Sequence, residues 1–183
     1  MDSDTKHLQE AQAYAKRFEE TLDSEQLRKA YLELENISVM QQAPGSSPAL
    51  RADTLRMWLV LLALLDQQLD PSFDQEKMPD LQVQPPDTAD GTSYAPGADP
   101  ALISDPAARR AYERAIRDNE AMIANYGLQV RLHRLNERIT ARAETYIRHA
   151  YTFAPSDREE VQAQILKVIK SPKRQAALWK ACF

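Results

Sequence analysis

The chain has 183 residues, 43% of them apolar and 27% charged, with a formal net charge of −4. This length is served by one core, and the apolar fraction excludes wholesale disorder. Four glycines leave little material for phosphate loops or tight hairpins, and the single Cys182 excludes an intramolecular disulfide or a Cys-based metal cluster.

The first predicted helix runs from about Asp4 to Leu22, because Leu8, Ala11, Ala15, Phe18 and Leu22 recur every three or four residues. Ser24 reads as the N-cap of a second helix with Leu27, Ala30, Tyr31, Leu34 and Ile37 on one face. The short link makes the two antiparallel neighbours. Pro44–Gly45 breaks the pattern. A third helix follows from about Pro48 to Leu69. Its middle, Met57 to Leu65, is apolar on every side and reads as the most buried helix. That run is too short for a bilayer, which needs about 20 residues, so no membrane span is expected.

Residues 71–104 form an acidic, Pro-rich connection. A structureless loop of that length is uncommon inside a compact domain. Phe73, Met78, Leu81, Val83, Tyr94, Leu102 and Ile103 are placed to anchor it across the helices, with a short extended piece at "LQVQ". Asp105–Pro106 is an N-cap followed by proline at the first helical position. The helix it opens shows one stripe through Tyr112, Ile116, Ile123, Tyr126 and Val130, and another through Leu128, Leu132, Leu135 and Ile139. Gly127 is a candidate kink and Thr140 a candidate break. Ser156-x-x-Glu159 has the form of a capping box, and Ser171–Pro172 repeats the cap-then-proline signal for a last helix carrying Leu178, Trp179 and Phe183. The fold expected is all-α: one irregular multi-helix domain over 1–183 with an excursion at about 71–104.

Charge is divided unevenly. Residues 1–105 hold 8 Lys/Arg against 19 Asp/Glu, and residues 106–183 hold 15 against 8. Either the halves neutralise each other, or part of the basic half meets an anionic partner. Arg131, Arg134, Arg138 and Arg142 follow at spacings of three, four and four, which is one helix face. Like charges so spaced repel by a few tenths of a kcal/mol per pair, so something acidic is expected to face them. The arginine fork suits carboxylate and phosphate alike. The acidic chain as a whole disfavours nucleic acid.

Catalytic signals are sparse. The sequence has no His-Glu-x-x-His, Gly-x-Ser-x-Gly, Walker or dinucleotide fingerprint, and no cofactor or metal is expected. His133 and Glu137 stand four apart, which also describes an ordinary surface pair. Arg142 and His149 are separated by six residues in a helical, basic segment. That spacing resembles the Arg-x(4–6)-His motif of HEPN ribonucleases, helical proteins in which the pair cleaves RNA at a dimer interface. The resemblance covers this segment alone, and Ala143 stands where the motif usually has a polar residue.

The sequence therefore favours a non-enzymatic, helical protein-binding module of the inhibitor, adaptor or immunity kind. Tyr94, in the excursion, and Arg131, Arg134, Arg138 and Arg142 are its candidate partner-binding residues. The alternative is a helical hydrolase or HEPN-like ribonuclease using Arg142 and His149. The polar, acidic start "MDSDTKHLQE" has no signal-peptide pattern. A cytoplasmic location is the default expectation, and a periplasmic or secreted one follows if an export signal has been removed.

Overall fold

The computed structural model describes residues 3–37, 47–88 and 91–183. Among them are six α-helices and no strand: α1 (Ser3–Thr21), α2 (Ser24–Glu35), α3 (Pro48–Gln68), α4 (Pro106–Ala150), α5 (Pro155–Val168) and α6 (Pro172–Cys182). The expected break at Pro44–Gly45 lies outside the described residues. Two compact units are formed, Met1–Leu69 with Arg131–Phe183, and Asp70–Val130; the boundary falls inside α4. Among the described residues no helix is long and apolar enough to cross a membrane.

In the first unit, the expected stripes are the buried faces except at Leu22, which lies beyond the end of α1 and is 41% exposed. Leu8, Ala11, Ala15 and Phe18 of α1 and Leu27, Ala30, Tyr31 and Leu34 of α2 are removed from solvent. Leu22 turns the chain between them at φ +56°, a conformation uncommon for a residue with a side chain. His7 Nδ1, near the start of α1, lies 2.6 Å from Glu33 Oε2, near the end of α2, so the two helices run antiparallel. The cap of α2 is Asp23 rather than Ser24: its Oδ1 accepts from the Glu25 N–H at 3.0 Å. Ser24 is then the first helical residue and is buried. The carboxylate one position earlier wins because a charged acceptor makes the stronger bond to a free first-turn N–H.

Helix α3 is enclosed as its composition requires. Leu55, Leu59, Leu61, Leu62 and Leu65 are fully buried, and Trp58 is nearly so. Arg174 of α6 ties this helix to its neighbours: it makes a two-pronged contact with Asp66 at 2.8 and 3.1 Å, and also donates to Thr140 and Asn136 of α4. At the other end of α3, Arg51 reaches the Ala150 carbonyl, Glu160 and Asp157, and covers the Tyr151 ring. Burial and the Glu160 carboxylate push the Tyr151 phenol well above its ordinary pKa.

Pro155, not the Ser156–Glu159 capping box, begins α5, with Ala154 as a cap that makes no side-chain bond. Proline presets the helical φ and needs no partner for a missing N–H. Asp157 instead reaches back, accepting from the Thr152 N–H at 2.8 Å and the Thr152 hydroxyl at 3.0 Å. Ser171 caps α6 as expected, accepting from the Arg174 N–H.

In the second unit, residues 71–104 lie against the first part of α4. Asp105 caps that helix as expected, its carboxylate accepting from the Ala107 and Ala108 N–H groups. No strand forms at "LQVQ". Of the seven apolar anchors, Ile103 alone is fully buried; Phe73, Val83 and Tyr94 are half-buried, and Met78, Leu81 and Leu102 are 59–70% exposed. Phe73 meets the Tyr126 ring at 5.5 Å, and polar side chains of α4 also anchor the segment. Tyr112 donates to the carbonyls of Ala98 and Val83, Asn119 to Asp80, Tyr126 to Gln75, and Arg109 to Ile103 and Ala101. The proline-rich strand of backbone has more carbonyls than N–H groups, and a helix offering phenol, amide and guanidinium donors meets that surplus. Helix α4 continues through both Gly127 and Thr140 without a break.

A basic face with two adjoining cavities

The four stripe arginines all lie in the first unit on α4, and all are exposed. The ends of the stripe are held and its middle is not. Arg131 donates through Nε to the Ser24 hydroxyl at 3.2 Å, and Arg142 through Nε to Glu35 at 2.7 Å. Arg134 and Arg138 form no ion pair among the described residues. The acidic half of the chain therefore meets the basic half at particular points, Arg142 with Glu35 and Arg174 with Asp66, and leaves the centre of the stripe facing outward.

Beside that centre, α2 and α4 leave a groove of about 380 Å³ lined by Tyr31, Glu35, Arg138, Ala141, Arg142 and Thr145. It is polar, with Arg138 and the Glu35–Arg142 pair on its walls. A second cavity of about 310 Å³ shares Glu35, Arg142 and Thr145 and continues over Leu34, Ile37, Trp58 and Tyr146. Its inner wall is apolar. Trp58 is 2% exposed, and its indole N–H has no hydrogen-bond partner among the described residues. The two cavities together offer a cation, the Glu35–Arg142 ion pair and an apolar wall within a few side chains of each other.

No family model, curated protein or solved structure matches the chain. Its chemistry is read from these residues alone.

Tyr94 belongs to the second unit, where its hydroxyl donates to the Leu102 carbonyl at 3.3 Å and its own carbonyl accepts from Gln84. Arg142 and His149 are both exposed on α4, two helical turns apart, which is roughly 10 Å along the axis. Arg142 is engaged by Glu35. Among the described residues no group of three His, Cys, Asp or Glu side chains converges to hold a metal ion. Cys182 is buried, and burial pushes its thiol up to about 11.

Sequence reasoning found the arginines but missed Tyr31, Glu35, Trp58 and Thr145. Tyr31 and Trp58 read as core residues, and both are indeed buried. Their second role depends on where the α2–α4 and α3–α4 packing stops, which local periodicity does not encode. Glu35 stands at the end of α2 and offers one usable signal: it is an acid on the last turn of a helix, where the dipole disfavours it, so a cationic partner is expected nearby.

Proposed function

We propose that the chain is a non-enzymatic, helical protein-binding module whose basic face receives a partner segment carrying an acidic side chain next to an apolar one. The observation that supports this reading is the pair of cavities joined at Arg142: one basic and polar beside Arg138, which forms no ion pair among the described residues, the other walled by Leu34, Ile37 and Trp58. An acidic side chain suits the first and a neighbouring apolar side chain the second. A phosphate backbone would use the arginines and leave the apolar wall exposed. Arg134 adds charge beside the mouth and would serve to draw the partner in, since exposed charges act over about 8 Å at physiological ionic strength.

The test compares proteins retained from the source cells by the wild type and by Arg134→Glu/Arg138→Glu, at low and moderate salt. The expected result is a protein partner that the wild type holds at low salt, holds more weakly as salt rises, and that the double variant loses while keeping its thermal stability. Retention at full affinity by the folded double variant would remove the role of this face. RNA cleavage that is abolished by His149→Ala would transfer the assignment to the HEPN-like alternative.

A further inference from the structure

A different part of the first unit carries a second surface, built from side chains that the arginine face does not use. Helices α5 and α6 form an antiparallel hairpin: Arg158, in the first turn of α5, lies over the rings of Trp179 and Phe183 at the end of α6, at 5.5 and 5.8 Å. Between the helices runs an apolar groove of about 200 Å³ lined by Gln162, Ile165, Leu166, Gln175, Ala176 and Trp179. Leu166 is 55% exposed on one wall. Trp179 forms the other and continues outward: its ring meets Phe183 at 4.7 Å, tilted by 38°, and Phe183 meets Phe153 edge-on at 5.9 Å. Phe153 is 73% exposed. These are large apolar side chains grouped at one place, which is the kind of patch that marks an interaction site.

Its charge is mainly basic. Residues 161–183 contain five Lys/Arg and no Asp or Glu; the acids of α5 lie in its first turns, where Asp157 and Glu160 meet Arg51 and Glu159 is exposed. Arg174 is consumed by Asp66. Lys167, Lys170, Lys173 and Lys180 remain exposed, and none forms an ion pair among the described residues. Lys173, Ala176 and Lys180 follow at spacings of three and four, so two of these lysines border the groove along α6. Lys167 and Lys170 stand at the end where the hairpin turns.

We infer that the α5–α6 groove docks an acidic amphipathic helix of a partner protein. The two antiparallel helices present a concave seat of the kind into which the apolar ridge of a third helix fits. Ile165, Leu166, Ala176 and Trp179 on its walls are suited to apolar side chains of that ridge. The lysines select acidic residues on either side of that ridge, and repel a basic one. A lipid surface is disfavoured by the concavity, because a flat bilayer face would leave the groove between Leu166 and Trp179 unfilled.

The experiment pans a random displayed library of 16-residue peptides against the full-length wild type, against Leu166→Asp, and against Lys173→Glu/Lys180→Glu. Leu166 and the two lysines are exposed, so these variants should fold, and circular dichroism with a thermal melt checks that they do. The selected peptides should be acidic, with apolar residues at helical spacing, and should become helical on binding. Leu166→Asp should weaken the best of them at least tenfold, and the lysine reversal should weaken them by a similar factor at low salt and less at high salt. The inference is overturned if no peptide is enriched, if enriched peptides lack acidic residues, or if both variants bind them as well as the wild type. Binding to phosphatidylglycerol vesicles that exceeds binding to any selected peptide would make the patch a lipid-facing surface. Peptide failure together with a wild-type dimer that Leu166→Asp dissolves would assign it to self-association. Either result also overturns the inference.

Discussion

Arg142 Nε lies 2.7 Å from Glu35 Oε1, which holds the last arginine of the stripe against α2, while Arg138, one turn earlier, forms no ion pair among the described residues. The guanidinium is still 62% exposed, so the pair is a surface ion pair and water screens it. Arg142→Ala should cost no more than about 1 kcal/mol, and a double-mutant cycle with Glu35→Ala should give a coupling of about 0.5 kcal/mol. Arg134→Ala/Arg138→Ala should leave stability within about 0.5 kcal/mol, because it removes two mutually repelling charges and no ion pair among the described residues. Urea unfolding of the four variants measures this. A loss of 2 kcal/mol or more in the Arg134/Arg138 variant would mean that the acidic half of the chain neutralises these arginines after all.

Arg174 behaves oppositely. Its side chain is 12% exposed and its donors are spent on Asp66, Asn136 and Thr140, joining α6 to α3 and α4. Arg174→Met removes the charge and strands the Asp66 carboxylate among groups arranged for a cation. A loss of about 2–3 kcal/mol is expected, with Asp66→Asn losing less because the amide oxygen can still accept. The coupling between the two positions should exceed about 1 kcal/mol. Calorimetric melts of the two single variants and the double variant decide it, and additive losses would show that the contact carries little of α6's attachment.

The helices were legible because their signals are local. Leu8, Ala11, Ala15 and Phe18 define a face by spacing alone, and a proline at the first helical position marks α4 and α6 whatever packs against them. Caps were harder where two acceptors compete, as at Asp23 and Ser24, since the choice turns on one residue of register. The candidate site was legible in its arginines and opaque in its partners. Glu35 and Arg142 are 107 positions apart, and nothing in either neighbourhood names the other. Trp58 is an apolar residue in an apolar run, and its unmatched N–H becomes visible only when α2, α3 and α4 are placed together. In the excursion the apolar anchors Phe73, Val83, Tyr94 and Ile103 were legible, but carbonyl acceptance from Tyr112, Asn119 and Tyr126 was not, because it depends on which α4 donors meet the proline-rich backbone.

That last point has its own test. Tyr112 is buried, and its hydroxyl bonds to Ala98 at 2.9 Å and approaches Val83 at 3.5 Å, while Gly97, at φ +76°, turns the backbone between Ala95 and Ala98 against the Gln82 side chain. Tyr112→Phe keeps the ring and removes the donor. Limited proteolysis should cut the variant within 80–104 several-fold faster than the wild type, with the flanking helices intact, because the excursion opens locally before the helices unfold. Met78→Ala, which removes an exposed apolar side chain, should leave the rate unchanged. Equal acceleration by both substitutions would return the anchoring to hydrophobic contact.

Asp157 supplies the pH dependence. The Thr152 N–H donates to its carboxylate at 2.8 Å and the Thr152 hydroxyl at 3.0 Å, while Arg51 stands 3.6 Å from its other oxygen. The backbone bond first, then the hydroxyl and the guanidinium, hold the carboxyl below its ordinary value of 3.8 in the folded chain. In the unfolded chain these partners are lost and the ordinary value returns. A depressed folded pKa means that the unfolded state takes up its proton first as pH falls. The contribution is therefore complete above the unfolded value and is lost as pH falls through the folded one. Asp157→Asn should cost stability near neutral pH, where the charged acceptor is present in the wild type. The difference between the two proteins should shrink below about pH 4, since protonation leaves the wild type with a neutral group at the same place. Urea midpoints measured from about pH 2.5 to 7 test the sign. A difference that stays constant over that range would show that the amide serves Thr152 and Arg51 as well as the carboxylate does, and that the junction of α4 and α5 is held by shape and not by charge.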